Sequence, residues 1–242
     1  MKRKIINIFI ILFCILFIFG VLVVSKPYVN DYNYSKQTAT EYENFLLIRQ
    51  DTFATQKAQS GEKKNNYIPQ SIDYDGLWKV LTEYNQSLLE EQMFSETGGV
   101  NVAKYGVTNG IIGYIKIPRL NVTMPIRIGS SKKILNQGAG VMIGSSLPIG
   151  QVGTNSVIVA HRGWDGMSMF RHIERLKIGD EIIIDNLFER LIYVVNDSKI
   201  VNPTANENLV IRKNKDMITL YTCHPYGINS HRFLVFCERK NK

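Results

Sequence analysis

Near the end of the chain, two apolar runs, Met217 to Thr222 and Phe233 to Cys237, flank a Pro-Tyr-Gly-Ile-Asn-Ser loop. The runs are rich in β-branched and aromatic residues, and the loop holds residues that turn a chain back on itself. The stretch therefore reads as two adjacent strands joined by a turn. No other stretch restricts the fold as tightly, because pairing through the loop decides which residues become neighbours. Cys223 ends the first strand and Arg232 begins the second. An antiparallel pair sets a thiol beside a guanidinium at one end of a sheet, where a permanent positive charge favours thiolate over thiol. That position suits a nucleophile better than a buried structural thiol.

The opposite end of the chain is equally distinctive. Lys2, Arg3 and Lys4 precede Ile5 to Val24, a run that is apolar except for Asn7, Cys14 and Gly20. As a helix those residues rise about 30 Å, enough to cross a bilayer. Leu22 to Lys26 (LVVSK) does not resemble a small-residue cleavage site, so the run reads as an uncleaved anchor, with a cleaved signal as the alternative. The basic cluster places the N-terminus in the cytoplasm and residues 26–242 outside, as a single-pass membrane protein. Of the net charge of +8, three charges precede the span, leaving a moderately basic outer portion of +5. No arginine-rich arm, zinc-finger spacing or RNA-binding motif accompanies that charge, so nucleic acid is not an expected partner.

Between the two ends, residues 26–109 read as a helical appendage and 110–242 as a separate β domain. Tyr42, Phe45, Leu46 and Phe53 form a weak helical stripe within a polar stalk that breaks at Gly61 to Asn66. Ser71 to Asp75 offers capping residues ahead of Leu77, Val80, Leu81, Tyr84, Leu88 and Leu89, an amphipathic spacing that predicts a helix docked on the following domain. From Ile111 the texture changes to strands at Ile111 to Ile117, Val122 to Ile128, Ser156 to Ala160, Glu181 to Asp185, Leu191 to Asn196 and Leu209 to Arg212. With the final pair these predict a mostly β fold, a largely antiparallel barrel or sandwich, interrupted by helical pieces at Lys132 to Asn136 and Met167 to Leu176.

A cysteine nucleophile needs a proton partner, since a free thiol of pKa about 8.5 is only slightly ionised at neutral pH. His161 follows the strand Ser156 to Ala160 and precedes Arg162-Gly163-Trp164, a strand-end position that can face a cleft. His224 is a second candidate, although strand parity turns it away from Cys223, as it turns His231 away from Arg232. His172 reads as a surface residue of a helix. A zinc site from Cys223, His224, His231 and Cys237 would be spread over both faces of the hairpin and about 16 Å of strand, which disfavours it. The same separation argues against a Cys223–Cys237 disulfide.

TLYTC (Thr219 to Cys223), Arg232 nine residues beyond the cysteine, and His161 at a strand end resemble the active-site signature of the sortases, membrane-anchored cysteine transpeptidases of Gram-positive surfaces. GYIKIP (Gly113 to Pro118), GSSLPIG (Gly144 to Gly150), SVIVAHRG (Ser156 to Gly163), FRHIERLKIGD (Phe170 to Asp180) and CHPYGINSHR (Cys223 to Arg232) extend the resemblance over roughly residues 110 to 237, toward the pilin-assembling class C branch. The resemblance implies a sortase-like closed β-barrel with short helices. It also implies that Cys223 attacks the Thr-Gly carbonyl of an LPxTG-like sorting signal, that His161 acts as general acid and base, and that Arg232 stabilises the substrate carbonyl or oxyanion. The implied partners are sorting-signal-bearing surface proteins or pilins and an amine acceptor, either a pilin lysine or a peptidoglycan precursor. No metal or organic cofactor is implied.

Two departures from the class C pattern bear on these expectations. Where pilin sortases carry an Asp-Pro-aromatic lid triplet, this sequence reads Gln92-Met93-Phe94, which keeps an aromatic plug in Phe94 but lacks the aspartate. Many class C members also carry a second span after the barrel, whereas this chain stops at Lys242, which keeps general anchoring of surface proteins to the wall as the alternative use. Rivals of other classes are a cysteine hydrolase that releases its acyl group to water, and a non-catalytic surface-binding module in which Cys223 is incidental.

Overall fold

The computed structural model describes residues 2–58, 72–91 and 99–240. Among these, eight strands close into a barrel in the order β1-β2-β3-β4-β7-β8-β6-β5. The strands are β1 (Ile111–Ile117), β2 (Val122–Ile128), β3 (Ala139–Val141), β4 (Thr154–Val159), β5 (Glu181–Asn186), β6 (Arg190–Val201), β7 (Asp216–His224) and β8 (His231–Arg239). Most neighbours run antiparallel, but β2–β3 and β4–β7 are parallel. Closure removes the sheet edges that an open sandwich would leave.

Several sequence expectations are corrected. β3 is a three-residue strand that carries no periodic signal of its own. Leu209 to Arg212 is not a strand: Asn206–Leu209 forms a 3-10 turn, and its Leu209 carbonyl accepts from the Asn155 side chain. Met167 to Leu176 is not a continuous helix but a loop ending in a 3-10 turn at Ile173–Arg175, with His172 at the position before it. A short helix, α3 (Lys132–Leu135), does form at the predicted place.

The apolar run and the polar segment after it form one helix, α1 (Lys2–Ala58), which runs through Pro27. Proline forfeits a hydrogen bond of the helix interior, and beyond it the helix is held by the barrel. Tyr42 and Phe45 pack on Tyr114 of β1, with ring centroids 5.4 and 5.1 Å apart. Tyr42, Leu46, Ile111 and Tyr114 share this cluster, so the weak stripe is a docking face, while the Phe53 side chain lies outside the described residues. Helix α2 (Tyr74–Glu91) begins beside Asp73, whose Oδ1 accepts from the Gly76 amide at 2.9 Å. Its Leu77 and Leu81 join the same core as Ile115, Ile126, Ile184 and Ile218 of the barrel. At about 25 cal/mol per Å², burying such side chains is what stabilises an otherwise marginal helix of this length.

A buried ionic cluster also ties α1 to the barrel. Asp185 of β5 accepts from Tyr42 Oη at 2.6 Å, Arg49 Nη1 at 3.1 Å and Arg190 Nε at 2.9 Å. Burial raises the Asp185 pKa, but the hydrogen bonds and charges of its partners outweigh burial and hold it below its ordinary value. Gly113 of β1 lets this region close: a Cβ there would lie 2.7 Å from the Asp185 carbonyl oxygen. Replacing Asp185 with alanine removes the carboxylate partner of Arg49 while the half-exposed Arg190 regains water, and the expected loss is about 2 kcal/mol of stability. Denaturant unfolding of the variant checks this; an unchanged midpoint would mean the cluster contributes nothing net.

Candidate active site

In the β7–β8 ladder, Cys223 is directly opposite Arg232 and His224 is opposite His231. Cys223 is a half-buried free thiol, whereas Cys237 lies in the core opposite Ile218, where burial pushes its thiol pKa upward. The Arg232 guanidinium is tethered to its own loop through Nη1, which donates to the carbonyls of Asn229 at 3.0 Å and His231 at 2.9 Å. Its carbon lies 6.0 Å from the centre of the Tyr221 ring. Among the described residues Nε and Nη2 have no recorded partner, so this fork has donors for a ligand.

The third residue comes from another part of the barrel. β4 lies parallel to β7, with Val159 in register with Tyr221. Past the last ladder pair, the Ala160 amide donates to the Tyr221 carbonyl at 3.2 Å, and Thr222 Oγ1 donates to the Ala160 carbonyl at 2.8 Å. Arg162 Nη1 then reaches the Cys223 carbonyl at 3.4 Å. His161 thus lies between two residues bonded to the end of β7, at the strand end that carries Cys223.

Around His161 the structure supplies partners that no motif announced. Its Nε2 lies 3.2 Å from Asn136 Oδ1, just after α3. Its ring stacks on Trp164 at 5.0 Å with an interplanar angle of 21°. Desolvation first, and the Lys132 charge second, lower the imidazole pKa from its ordinary value. In the tautomer whose Nε2–H donates to the Asn136 side-chain Oδ1, Nδ1 is the nitrogen left to take a proton. Replacing Lys132 with alanine removes the second cause, so a kinetic limb belonging to His161 moves to higher pH. A pH–rate profile of that variant with an unmoved limb would detach the limb from His161.

The rival histidine is otherwise engaged. Arg162, buried behind the site, donates to His224 Nδ1 at 2.7 Å and pairs with Glu174 at 3.0 Å. Desolvation and the Arg162 charge lower the His224 pKa. His231 is exposed, with its Nδ1 2.9 Å from Ser230 Oγ. Among the described residues no three His, Cys, Asp or Glu side chains gather in a metal-binding cluster, so the zinc alternative has no geometry here. The Gln92-Met93-Phe94 lid expectation lies outside the described residues.

The sortase-domain family profile matches residues 115–240, more than half of the chain. The chain belongs to the sortase family. Sortase A of Bacillus anthracis is 27% identical over 191 residues, spanning 78% of this chain and 86% of that protein. Sortase A of Listeria monocytogenes is 25% identical over 225 residues, spanning 93% and 88%. Among solved structures, sortase C1 of Streptococcus agalactiae superposes with a TM-score of 0.64 at 32% identity, covering 69% of this chain and 89% of that one. Sortase C of Clostridium perfringens, solved with the C-terminal cell wall sorting motif, gives 0.63 at 35% identity, covering 79% and 97%. This sortase therefore has the barrel of the family and resembles class C members in structure, and it is a transpeptidase-family enzyme. Among the described residues one helix, α1, is long and apolar enough to cross a membrane.

Proposed function

We propose that this sortase is anchored in the membrane by α1 and cleaves an LPxTG-like sorting signal between Thr and Gly, passing the acyl group to an amine. The observation that supports it most directly is that Cys223 pairs with Arg232 across β7–β8 while both chain neighbours of His161, Ala160 and Arg162, hydrogen-bond to the end of β7. In this reading the thiol proton passes to His161 and the sulfur attacks the threonine carbonyl. Nη2 and Nε of Arg232 donate to the developing oxyanion, where a preorganised charged donor is most effective. Collapse expels the glycine amine, which takes the proton from His161, and leaves a thioester on Cys223. An incoming amine then loses its proton to His161 as it displaces the sulfur, and His161 returns that proton to the thiolate, regenerating the thiol.

The likeness to class C structures favours a pilin lysine as acceptor. The similarity to two sortases A favours a second use of the same chemistry, attachment of surface proteins to a peptidoglycan amine. A cysteine hydrolase would share the first half-reaction and differ in the second. Incubating the enzyme with a sorting-signal peptide, with and without an added amine, separates them by mass spectrometry. The expected product carries the amine; a product that is always the free acid would assign the enzyme to hydrolysis, and an uncut peptide would remove the sorting signal as substrate.

A further inference from the structure

We propose that the end of the barrel bearing His161 rests on the headgroup layer of the membrane that holds α1, so that the site opens at the lipid surface. The proposal builds on the anchoring reading of α1. It comes from the order in which α1 meets the barrel. Pro27 lies under Gly166 so closely that a Cβ on Gly166 would be 2.7 Å from the Pro27 backbone. Asn30 Nδ2 donates to the Asp165 carbonyl at 3.0 Å. Asp31 accepts from the Ser168 amide at 2.7 Å and hydroxyl at 3.0 Å. Further up, Tyr34 reaches the Gln137 carbonyl at 3.5 Å, and Arg49 reaches the Asn186 carbonyl at 3.2 Å.

Helical rise converts this order into height. At about 1.5 Å per residue, Pro27 and Asp31 stand about 5 and 10 Å beyond Val24, the last residue of the apolar run, and Arg49 about 37 Å. The polar layer on each side of the hydrocarbon core is about 5 to 8 Å thick. The loop from Trp164 to Ser168 therefore lies at the outer edge of the headgroup layer, and the β5–β6 turn is far above it. A helix tilt of about 20° changes these heights by a few ångströms, much less than the separation of the two ends.

The side chains at the lower end suit that surface. Trp164, which stacks on His161, belongs to the residue type that prefers the boundary between lipid and water. The Arg171 guanidinium crowds Gly163 and lies 5.1 Å from the centre of the Tyr226 ring, bringing the β7–β8 loop to the same end. That loop exposes Tyr226 by 58% and Ile228 by 72%, two apolar side chains on the same end as Trp164. The occupant of this face is a lipid surface, and a site at this height acts on peptide segments held close to the same bilayer.

The chain contains its own ruler in two tryptophans. Trp164 is at the lower end, while Trp78 packs 4.9 Å from Phe188 on the β5–β6 turn, at the level of Arg49. The test reconstitutes the full chain into phosphatidylcholine–phosphatidylglycerol vesicles with a nitroxide on the headgroups of both leaflets, using Trp78→Phe to isolate Trp164 and Trp164→Phe to isolate Trp78. Trp164 is expected to lose most of its emission and Trp78 to keep nearly all of it. Should Trp164→Phe misfold, the Trp78 signal follows as the difference between wild type and Trp78→Phe. Equal quenching of both, stronger quenching of Trp78, or no quenching in a chain that floats with the vesicles overturns the orientation while leaving the anchor intact. A chain that fails to float overturns the anchoring reading, and the orientation with it.

Discussion

Replacing Cys223 with alanine is expected to abolish thioester formation and reduce transpeptidation by about 10⁴-fold or more, the scale on which removal of a covalent nucleophile acts. No neighbouring group can substitute. Cys237 is buried opposite Ile218, and Cys14 lies in the apolar run of α1. The methyl group of alanine leaves the β7 ladder intact, so the variant should fold and bind substrate while failing to capture it. Intact-mass measurement on the enzyme incubated with a sorting-signal peptide checks this. An acyl adduct persisting in the Cys223→Ala protein would refute the assignment of the nucleophile.

Arg232→Lys is expected to cost about 10² to 10³ in kcat/KM, the loss associated with removing one oxyanion donor. The charge survives, but the geometry does not. Arg232 spends Nη1 on the Asn229 and His231 carbonyls and still presents Nε and Nη2 in a fixed plane. A single ammonium on a flexible stem cannot brace itself on the loop and present a planar fork to a carbonyl at the same time. Single-turnover acylation rates for the two proteins measure the effect. Near wild-type acylation in the lysine variant would reduce Arg232 to a positive charge without a directional role.

Other parts of the molecule show why some relations are legible along the chain and others are not. β1 and β2 carry the boundaries their apolar runs predict, because alternation and flanking turn residues are local properties. β3 has only Ala139, Gly140 and Val141, and it exists because β2 and β4 offer it partners on both sides. Leu209 to Arg212 looks equally strand-like, yet no neighbouring strand pairs with it and the Asn155 side chain takes up its carbonyls. The Tyr42 stripe on α1 is weak as a pattern, but Tyr114 and Asp185, distant in sequence, turn it into a docking face. Asn136 follows a one-turn helix with no motif, and nothing near it in sequence points to His161.

By itself the sequence determined that a twenty-residue apolar run opens the chain and that the terminal loop sets Cys223 against Arg232. Both follow from short-range chemistry: the length of an uninterrupted apolar segment and the reversal imposed by one turn. Only the tertiary structure decided that the end of β4, with His161 just beyond it, lies against the end of β7 that carries Cys223. β4 and β7 are joined in parallel across a long intervening segment, and barrel closure brings the residue after Ala160 to the end of β7 while Arg162 occupies His224 on the other side. The same closure docks the outer part of α1 against the loop after His161. Contacts of that kind depend on how the whole sheet twists and closes, and no local run of residues encodes them.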